Sequence, residues 1–370
     1  MSTGNRIYRI IISGGGTGGH IYPAIAIANA WMAAHPSSEI LFVGAEGKME
    51  MQKVPEAGYP IEGLTIAGLQ RSLTLKNLNF PLKVWKSVKR SNEILKRFQP
   101  NLAVGVGGYA SGPLLFAAQR QGIPSVIQEQ NSYAGLTNKL LAKNAKAICV
   151  AYPAMERFFP GDRIHYTGNP VRSDILQLEG KAIKARDAFG LDGRRKTILV
   201  LGGSLGARTI NEAVAASMAA WESNGYQVVW QTGRFYFNEM NERVDRSGLK
   251  HIHPMEFIRE MDLAYSVADI VVSRAGALSV SELSLVGKPV IFIPSPNVAE
   301  DHQTKNAETC VSAGAAWMLK DREAISNLGE VLEKLANDTD ECQRLGENLL
   351  KMGKPQAANE IVAVMEKWIQ

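Results

Sequence analysis

The sequence predicts an α/β protein of two doubly wound halves, each a parallel sheet covered by helices. Short β-branched apolar runs alternate with helical patterns, and the runs are apolar on both faces, as strands between helix layers must be. The opening pattern restarts midway. A strand at 6–13 leads into Gly14-Gly15-Gly16-Thr17-Gly18-Gly19, and one at 197–201 leads into Gly202-Gly203-Ser204-Leu205-Gly206-Ala207. The length of 370 residues also exceeds one core, at about 100–200 residues per domain.

Taken in order, 6–13 (RIYRIIIS) reads as a buried strand, 25–32 as a helix and 39–43 as the next strand. Further strands are expected at 102–104, 125–128, 146–150, 197–201, 227–231, 270–273, 289–293 and 315–319, with helices between most of them. The domain break falls between the turn signal Gly168-Asn169-Pro170 and the polar stretch 179–196, separating 1–168 from 169–349. Near the C-terminus, Ile361, Val362, Val364, Met365 and Trp368 form an amphipathic pattern. That helix suits either the end of the second half or a return onto the first.

Apolar residues at 45% and charged residues at 21% are ordinary for a soluble protein. No apolar run approaches the roughly 18–20 residues of a membrane helix, and Ile10-Ile11-Ile12 is too short for a signal peptide. Cys149, Cys310 and Cys342 are odd in number and widely spaced, so neither a disulfide framework nor a zinc site is expected, and a reducing cytoplasm fits. The net charge of +5 is local. Residues 61–100 hold eight basic side chains (Arg71, Lys76, Lys83, Lys86, Lys89, Arg90, Lys96, Arg97) and two acidic ones (Glu62, Glu93). There Leu78, Leu82, Trp85 and Val88 recur at helical spacing among lysines. This suits either an interfacial membrane contact or an ordinary helix with its stripe on the sheet. Nucleic acid is not expected, because aromatics are sparse and no nucleic-acid motif is present.

Several motifs could carry chemistry. Gly14, Gly16 and Gly19 match GxGxxG, which lets backbone approach a phosphate at a helix N-terminus. A dinucleotide is disfavoured, because the second strand ends Val43-Gly44-Ala45 without the acid that would hold a ribose. His20 follows the loop and is either a general base or a helix cap. The second glycine loop lacks a Walker lysine, and Ser204 there either meets a phosphate or caps its helix. Ser273-Arg274-Ala275-Gly276-Ala277 opens a third helix, with Glu282 expected near its first turn. That carboxylate either complements the helix dipole or accepts hydrogen bonds from ribose hydroxyls. Glu129 ends a strand and opens the polar loop 131–138, and Gly107-Gly108-Tyr109 belongs to a glycine-rich strand-end loop at 105–113. No metal site is expected: His251 and His253 lack neighbouring ligands, and Asp338-Thr339-Asp340 reads as a solvated turn.

As a set, Gly14-Gly15-Gly16-Thr17-Gly18-Gly19-His20, Gly107-Gly108-Tyr109, Glu129-Gln130-Asn131, Gly168-Asn169-Pro170-Val171-Arg172, Gly202-Gly203-Ser204 and Ser273-Arg274-Ala275-Gly276-Ala277 with Glu282 resemble the MurG family of peptidoglycan N-acetylglucosaminyltransferases, over nearly the whole chain. The resemblance implies a GT-B fold, two Rossmann-like domains facing a cleft. Residues 350–370 would rejoin the N-terminal, acceptor-binding domain, and the C-terminal domain would bind UDP-GlcNAc. It also implies inverting transfer, without metal or cofactor, of GlcNAc from UDP-GlcNAc to the 4-hydroxyl of MurNAc in lipid I, giving lipid II. The enzyme would sit peripherally on the anionic cytoplasmic face of the bacterial inner membrane. Carried over, Ser204 and Ala277, Leu278 and Ser279, with Val280 and Ser281 following, would meet the diphosphate. Glu282 would meet the ribose, Ile258 the uracil, and Arg172 and Gln303 other parts of the donor. Thr17, Gly18, Gly19 and Asn131 would line the acceptor side, with His20 the leading base and Glu129 the other candidate. The alternative is another GT-B glycolipid glycosyltransferase or a UDP-sugar epimerase.

Overall fold

The computed structural model describes residues 7–66, 80–203, 205–298 and 301–369. The chain divides into two compact units, Met1–Val171 with Pro355–Gln370, and Arg172–Lys354. The first contains β1 (Arg9–Gly14), α1 (Gly18–Ala34), β2 (Glu39–Ala45), α2 (Glu50–Glu56), β3 (Ile61–Leu64), α3 (Phe80–Phe98), β4 (Leu102–Gly107), α4 (Ser111–Arg120), β5 (Ser125–Glu129), α5 (Leu136–Leu141), β6 (Ala147–Val150) and β7 (Ile164–Tyr166). The second contains α6 (Ala182–Phe189), β8 (Lys196–Leu201), α7 (Arg208–Ser223), β9 (Tyr226–Gln231), α8 (Phe237–Ser247), β10 (Ile252–Met255), α9 (Met261–Val267), β11 (Ile270–Ser273), α10 (Ala277–Val286), β12 (Val290–Phe292), α11 (His302–Ser312), β13 (Trp317–Met318), α12 (Ala324–Ala336) and α13 (Thr339–Lys351). The last helix, α14 (Ala357–Glu366), returns to the first unit.

The described strands form two parallel, Rossmann-like sheets, ordered β3-β2-β1-β4-β5-β6-β7 and β10-β9-β8-β11-β12-β13. Strand order reverses between β1 and β4 in the first sheet and between β8 and β11 in the second. Open α/β sheets bind ligands beyond the carboxyl ends at such switch points. The loops after β1, β4, β8 and β11, which hold the glycine and small-residue motifs, lie there.

The structure corrects several local expectations. β1 starts at Arg9, where pairing with Glu39 begins, and Ile7 is exposed. α1 starts seven residues before the expected position: Ile21, Ala24, Ile27, Ala28 and Trp31 bury one face, but Tyr22, Ile25, Ala26 and Ala30 make the other side apolar too, so the helix carries little amphipathic contrast. Two short edge strands, β3 and β7, escaped notice because they are half-buried and lack a long apolar run. The expected loop at 105–113 is mostly regular structure, since β4 continues to Gly107 and α4 begins at Ser111. Asp338 is solvent-exposed, as expected, but is the N-cap of α13 and not part of a turn, accepting the Glu341 N–H at 2.9 Å.

α14 places Ile361, Val362, Val364 and Met365 in one core with Ile10, Ile12, Ile21, Ile27 and Trp31. His35, capping the end of α1, contacts Glu366 at 2.7 Å. On α3 the expected stripe divides. Leu82 and Trp85 are exposed by 52% and 61%, while Ser87, Ser91, Ile94 and Leu95 are buried. The first stripe residue, Leu78, lies outside the described residues.

Candidate active site

At the first switch point the loops after β1 and β4 touch backbone to backbone. Gly15 N–H donates to Gly107 O at 3.3 Å. A Cβ on Gly108 would overlap the Gly15 carbonyl, and one on Gly107 would lie 2.6 Å from His20 Cδ2 and 2.9 Å from Nε2. Both glycines hold positive φ, 98° at Gly107 and 90° at Gly108, which L side chains avoid.

His20 is the third residue of α1 and half-buried. Its Nδ1 lies 3.1 Å from Gly15 O and 3.4 Å from Thr17 Oγ1. A carbonyl oxygen only accepts, so Nδ1 carries the proton, and the neutral ring has its basic lone pair on Nε2. Thr17 is the exposed N-cap of α1 and makes no side-chain cap bond. Gly18 and Gly19 therefore open the helix with N–H groups suited to an anion or a sugar oxygen.

Glu50 is a residue the sequence does not single out. It is fully buried at the start of α2, with Oε2 accepting Gly16 N–H at 2.9 Å and Oε1 accepting Ala45 N–H at 3.0 Å. The available signal was an acid opening a helix just after the second strand. Glu46, closer to that strand, instead accepts the Thr65 hydroxyl at 2.8 Å.

Glu129 is buried at the end of β5. Its Oε1 accepts from Asn131 N at 3.0 Å and Asn131 Nδ2 at 3.3 Å, and its Oε2 from Gly135 N at 3.0 Å and Asn138 Nδ2 at 2.8 Å. With four donors on two oxygens it braces the 131–135 loop. A substrate hydroxyl could reach it only by displacing one of them. Neighbouring polar residues also serve the fold. Gln128 donates to Asn169 Oδ1 at 2.8 Å, Asn169 to Gln130 O at 3.0 Å and Gln130 to Val106 O at 2.5 Å, all buried.

At the second switch point, Gly203 and Gly206 hold φ of 82° and 88°, and a Cβ on Gly206 would overlap the Thr232 carbonyl. Ser204 lies outside the described residues. α10 begins at Ala277 after Gly276, with no side-chain cap. Its N-terminal N–H groups at Ala277, Leu278 and Ser279 and its dipole thus favour an anion. The next two candidates point elsewhere: the Val280 side chain is buried, and the Ser281 hydroxyl donates to Ala277 O at 2.9 Å.

Glu282 lies in the second turn of α10, beyond the first-turn position expected for a dipole partner. Its Oε2 accepts the hydroxyl of buried Tyr265 on α9 at 3.1 Å. Burial pushes the Glu282 carboxyl up to about 6, while the Tyr265 hydrogen bond and the Arg172 charge pull it down and Asp174 pushes it up. Burial and the Glu282 charge raise the Tyr265 phenol well above its ordinary value. Tyr265 is not singled out by the sequence, where a lone phenol on an apolar helix is its only mark. Arg172 grips Asp174 with two bonds of 2.7 and 2.5 Å, and that hydrogen bonding raises its own proton affinity. The Ile258 side chain is buried and its N–H donates to Gln231 Oε1 at 2.9 Å, leaving its main-chain carbonyl to meet a base. Gln303 Oε1 accepts Ser295 N–H at 2.9 Å, so its NH₂ is the group it can offer.

The comparisons agree with this architecture. Residues 10–150 match the glycosyltransferase family 28 N-terminal domain and residues 197–361 its C-terminal domain. A relative from Cytophaga hutchinsonii, named UDP-N-acetylglucosamine–N-acetylmuramyl-(pentapeptide) pyrophosphoryl-undecaprenol N-acetylglucosamine transferase, is 56% identical over 96% of this chain and 95% of its own. The Flavobacterium psychrophilum protein of the same name is 52% identical over 98% of both chains. Among solved structures, MurG from Acinetobacter baumannii superposes with a TM-score of 0.79 at 26% identity, over 98% of this chain and 100% of that one. A UDP-GlcNAc 2-epimerase from Neisseria meningitidis shares the fold, with a TM-score of 0.68 at 16% identity over 98% of this chain and 100% of its own. With both family 28 domains matched in order and full-length relatives above half identity, the chain belongs to glycosyltransferase family 28.

Proposed function

We propose that this protein transfers GlcNAc from UDP-GlcNAc to the 4-hydroxyl of MurNAc in undecaprenyl-pyrophosphoryl-MurNAc-pentapeptide, inverting the anomeric carbon without a metal or cofactor. The observation that carries this reading is identity of 50–56% across nearly the full length of relatives named for that reaction. In it the first unit, with α14, receives the acceptor and the second the donor.

His20 Nε2 takes the proton of the acceptor hydroxyl as its oxygen attacks the anomeric carbon. The bond from that carbon to the diphosphate oxygen breaks, and its electron pair leaves with UDP. The growing charge is met by the N–H groups and dipole of α10, joined by Ser204. Glu282, held by Tyr265, accepts the ribose hydroxyls, while Ile258, Arg172 and Gln303 complete donor recognition. Thr17, Gly18, Gly19 and Asn131 hold the acceptor, with Glu129 keeping their neighbouring loop in shape.

No helix among the described residues is long and apolar enough to cross a membrane. A lipid-linked acceptor then requires the protein to dock on the cytoplasmic face of the inner membrane. Exposed Leu82 and Trp85, flanked by exposed Lys83, Lys86 and Lys89, favour α3 for that contact.

The test is transfer of labelled GlcNAc to a lipid I analogue with EDTA present, followed by anomer assignment of the product. Transfer of β configuration by the wild type, reduced at least about 100-fold in His20→Ala and strongly in Glu282→Ala, supports the proposal. UDP-GlcNAc binding without transfer would overturn the acceptor assignment.

A further inference from the structure

We propose that Glu50 is a positioning residue for His20, acting through the peptide group between Gly15 and Gly16. The inference rests on the reading of His20 as the base. Two bonds described separately meet on one planar unit. The carbonyl of Gly15 accepts His20 Nδ1–H at 3.1 Å, and the N–H of Gly16 donates to Glu50 Oε2 at 2.9 Å. That carbonyl and that N–H are the two ends of a single peptide bond, whose resonance couples them.

A carboxylate on the N–H end draws density toward the carbonyl oxygen and makes it a stronger acceptor for Nδ1–H, as linked hydrogen bonds polarise one another. The proton is thereby kept on Nδ1 and the lone pair on Nε2. The same charge stabilises the imidazolium formed when Nε2 takes a proton. Asp performs this service for His in a catalytic triad by direct contact; here a peptide stands between.

Glu50 is fully buried, so water does not dilute its field. An isolated buried carboxylate is costly, and its two oxygens are each met by a backbone N–H. The surrounding chain is cut to fit it, since a Cβ on Gly15 would overlap its carboxyl and one on Gly44 would lie 2.5 Å from its Cγ. Titratable groups on elements around these loops include Tyr22 on α1, Tyr109 after β4, whose ring would lie 3.9 Å from a Cβ on Gly16, and Glu129 on β5, already engaged by its own loop. Glu50 is the carboxylate joined to the 15–16 peptide.

The experiment is a pH titration by NMR of the full-length protein labelled at histidine and glycine nitrogens, His20 being assigned with His20→Gln. In the wild type, His20 should hold its proton on Nδ1 and the Gly16 amide should shift as His20 titrates. Glu50→Gln keeps the shape and removes the charge. It should move the His20 titration to lower pH and shift the acidic limb of kcat the same way. It should also lower kcat roughly 10- to 100-fold, the usual scale for a supporting partner, with KM for UDP-GlcNAc unchanged. Glu50→Asp should restore the limb toward wild type. A wild-type Nε2–H tautomer, or a Gly16 amide indifferent to His20, would overturn the proposal whether or not the variants fold. So would folded Glu50→Gln with an unmoved titration. Full activity in His20→Ala would instead remove the base assignment while leaving the measured coupling in place.

Discussion

Glu282 sits among groups that pull its proton in opposite directions, and burial prevails. Its folded value of about 6 lies above the ordinary 4.5, so the folded state binds this proton more tightly than the unfolded state. The associated stability is present in full below pH 4.5 and is lost as pH rises through about 6. Glu282→Gln, which resembles the protonated form, should therefore be more stable than wild type at pH 8 by up to about 2 kcal/mol. The two should be alike at pH 4, and urea unfolding at both values measures this. Donor binding in the proposed site runs the other way, because there the ribose hydroxyls need the ionised carboxylate. Wild-type affinity for UDP should fall as pH drops through about 6, whereas Glu282→Gln should bind weakly at all pH; calorimetry decides. At this scale the sequence marked Glu282, His20 and the glycine loops, because backbone freedom and a titratable ring are visible in residue type. Glu50 and Tyr265 left little mark, since their importance lies in which atoms they meet.

Among the elements, α3 departs furthest from what its periodicity promised. Leu82 and Trp85 belong to an apolar series, yet the face turned inward carries Ser87, Ser91, Ile94 and Leu95. A buried serine satisfies no hydrophobic pattern, and of the two uses the sequence left open, Leu82 and Trp85 take the outward one while Val88 packs on the core. Arg90 and Arg97 are spent on Glu62, which leaves the lysines to any outside partner. Lys89 Nζ lies 5.9 Å from the Trp85 ring centroid, placing charge beside the apolar surface. Leu82→Ser with Trp85→Ser should abolish sedimentation with anionic vesicles while thermal unfolding stays within a few degrees of wild type, because neither side chain is core. Equal binding by the variant would remove α3 as the docking element. α14 is the opposite case: its apolar residues fill the core against α1 and β1, a use its pattern allowed but did not choose.

Taken whole, the molecule is two units with separate cores. Ile198, Val200, Trp221 and Trp230 lie in one, Ile10, Ile12 and Trp31 in the other. Unfolding should accordingly depart from two-state behaviour. Because the residues proposed to hold the donor, Glu282, Ile258, Gln303 and the α10 N-terminus, all belong to Arg172–Lys354, UDP at 100 times its Kd should stabilise that unit by about 2.7 kcal/mol. Scanning calorimetry should show one transition rising and the other nearly unmoved. Equal shifts in both would place donor contacts in both units.

The sequence by itself determined the two doubly wound sheets, the strand-end glycine loops and their kinship with one glycosyltransferase family. Strand alternation and glycine spacing are local properties that one-dimensional order preserves. The family resemblance already implied that the last helix rejoins the first unit; only the tertiary structure decided which core residues α14 meets, that Glu129 is consumed by its own loop, and that Glu50 and His20 hold opposite ends of one peptide. Those outcomes depend on contacts between residues distant along the chain or on the direction of a side chain, and neither is written in the spacing of residue types.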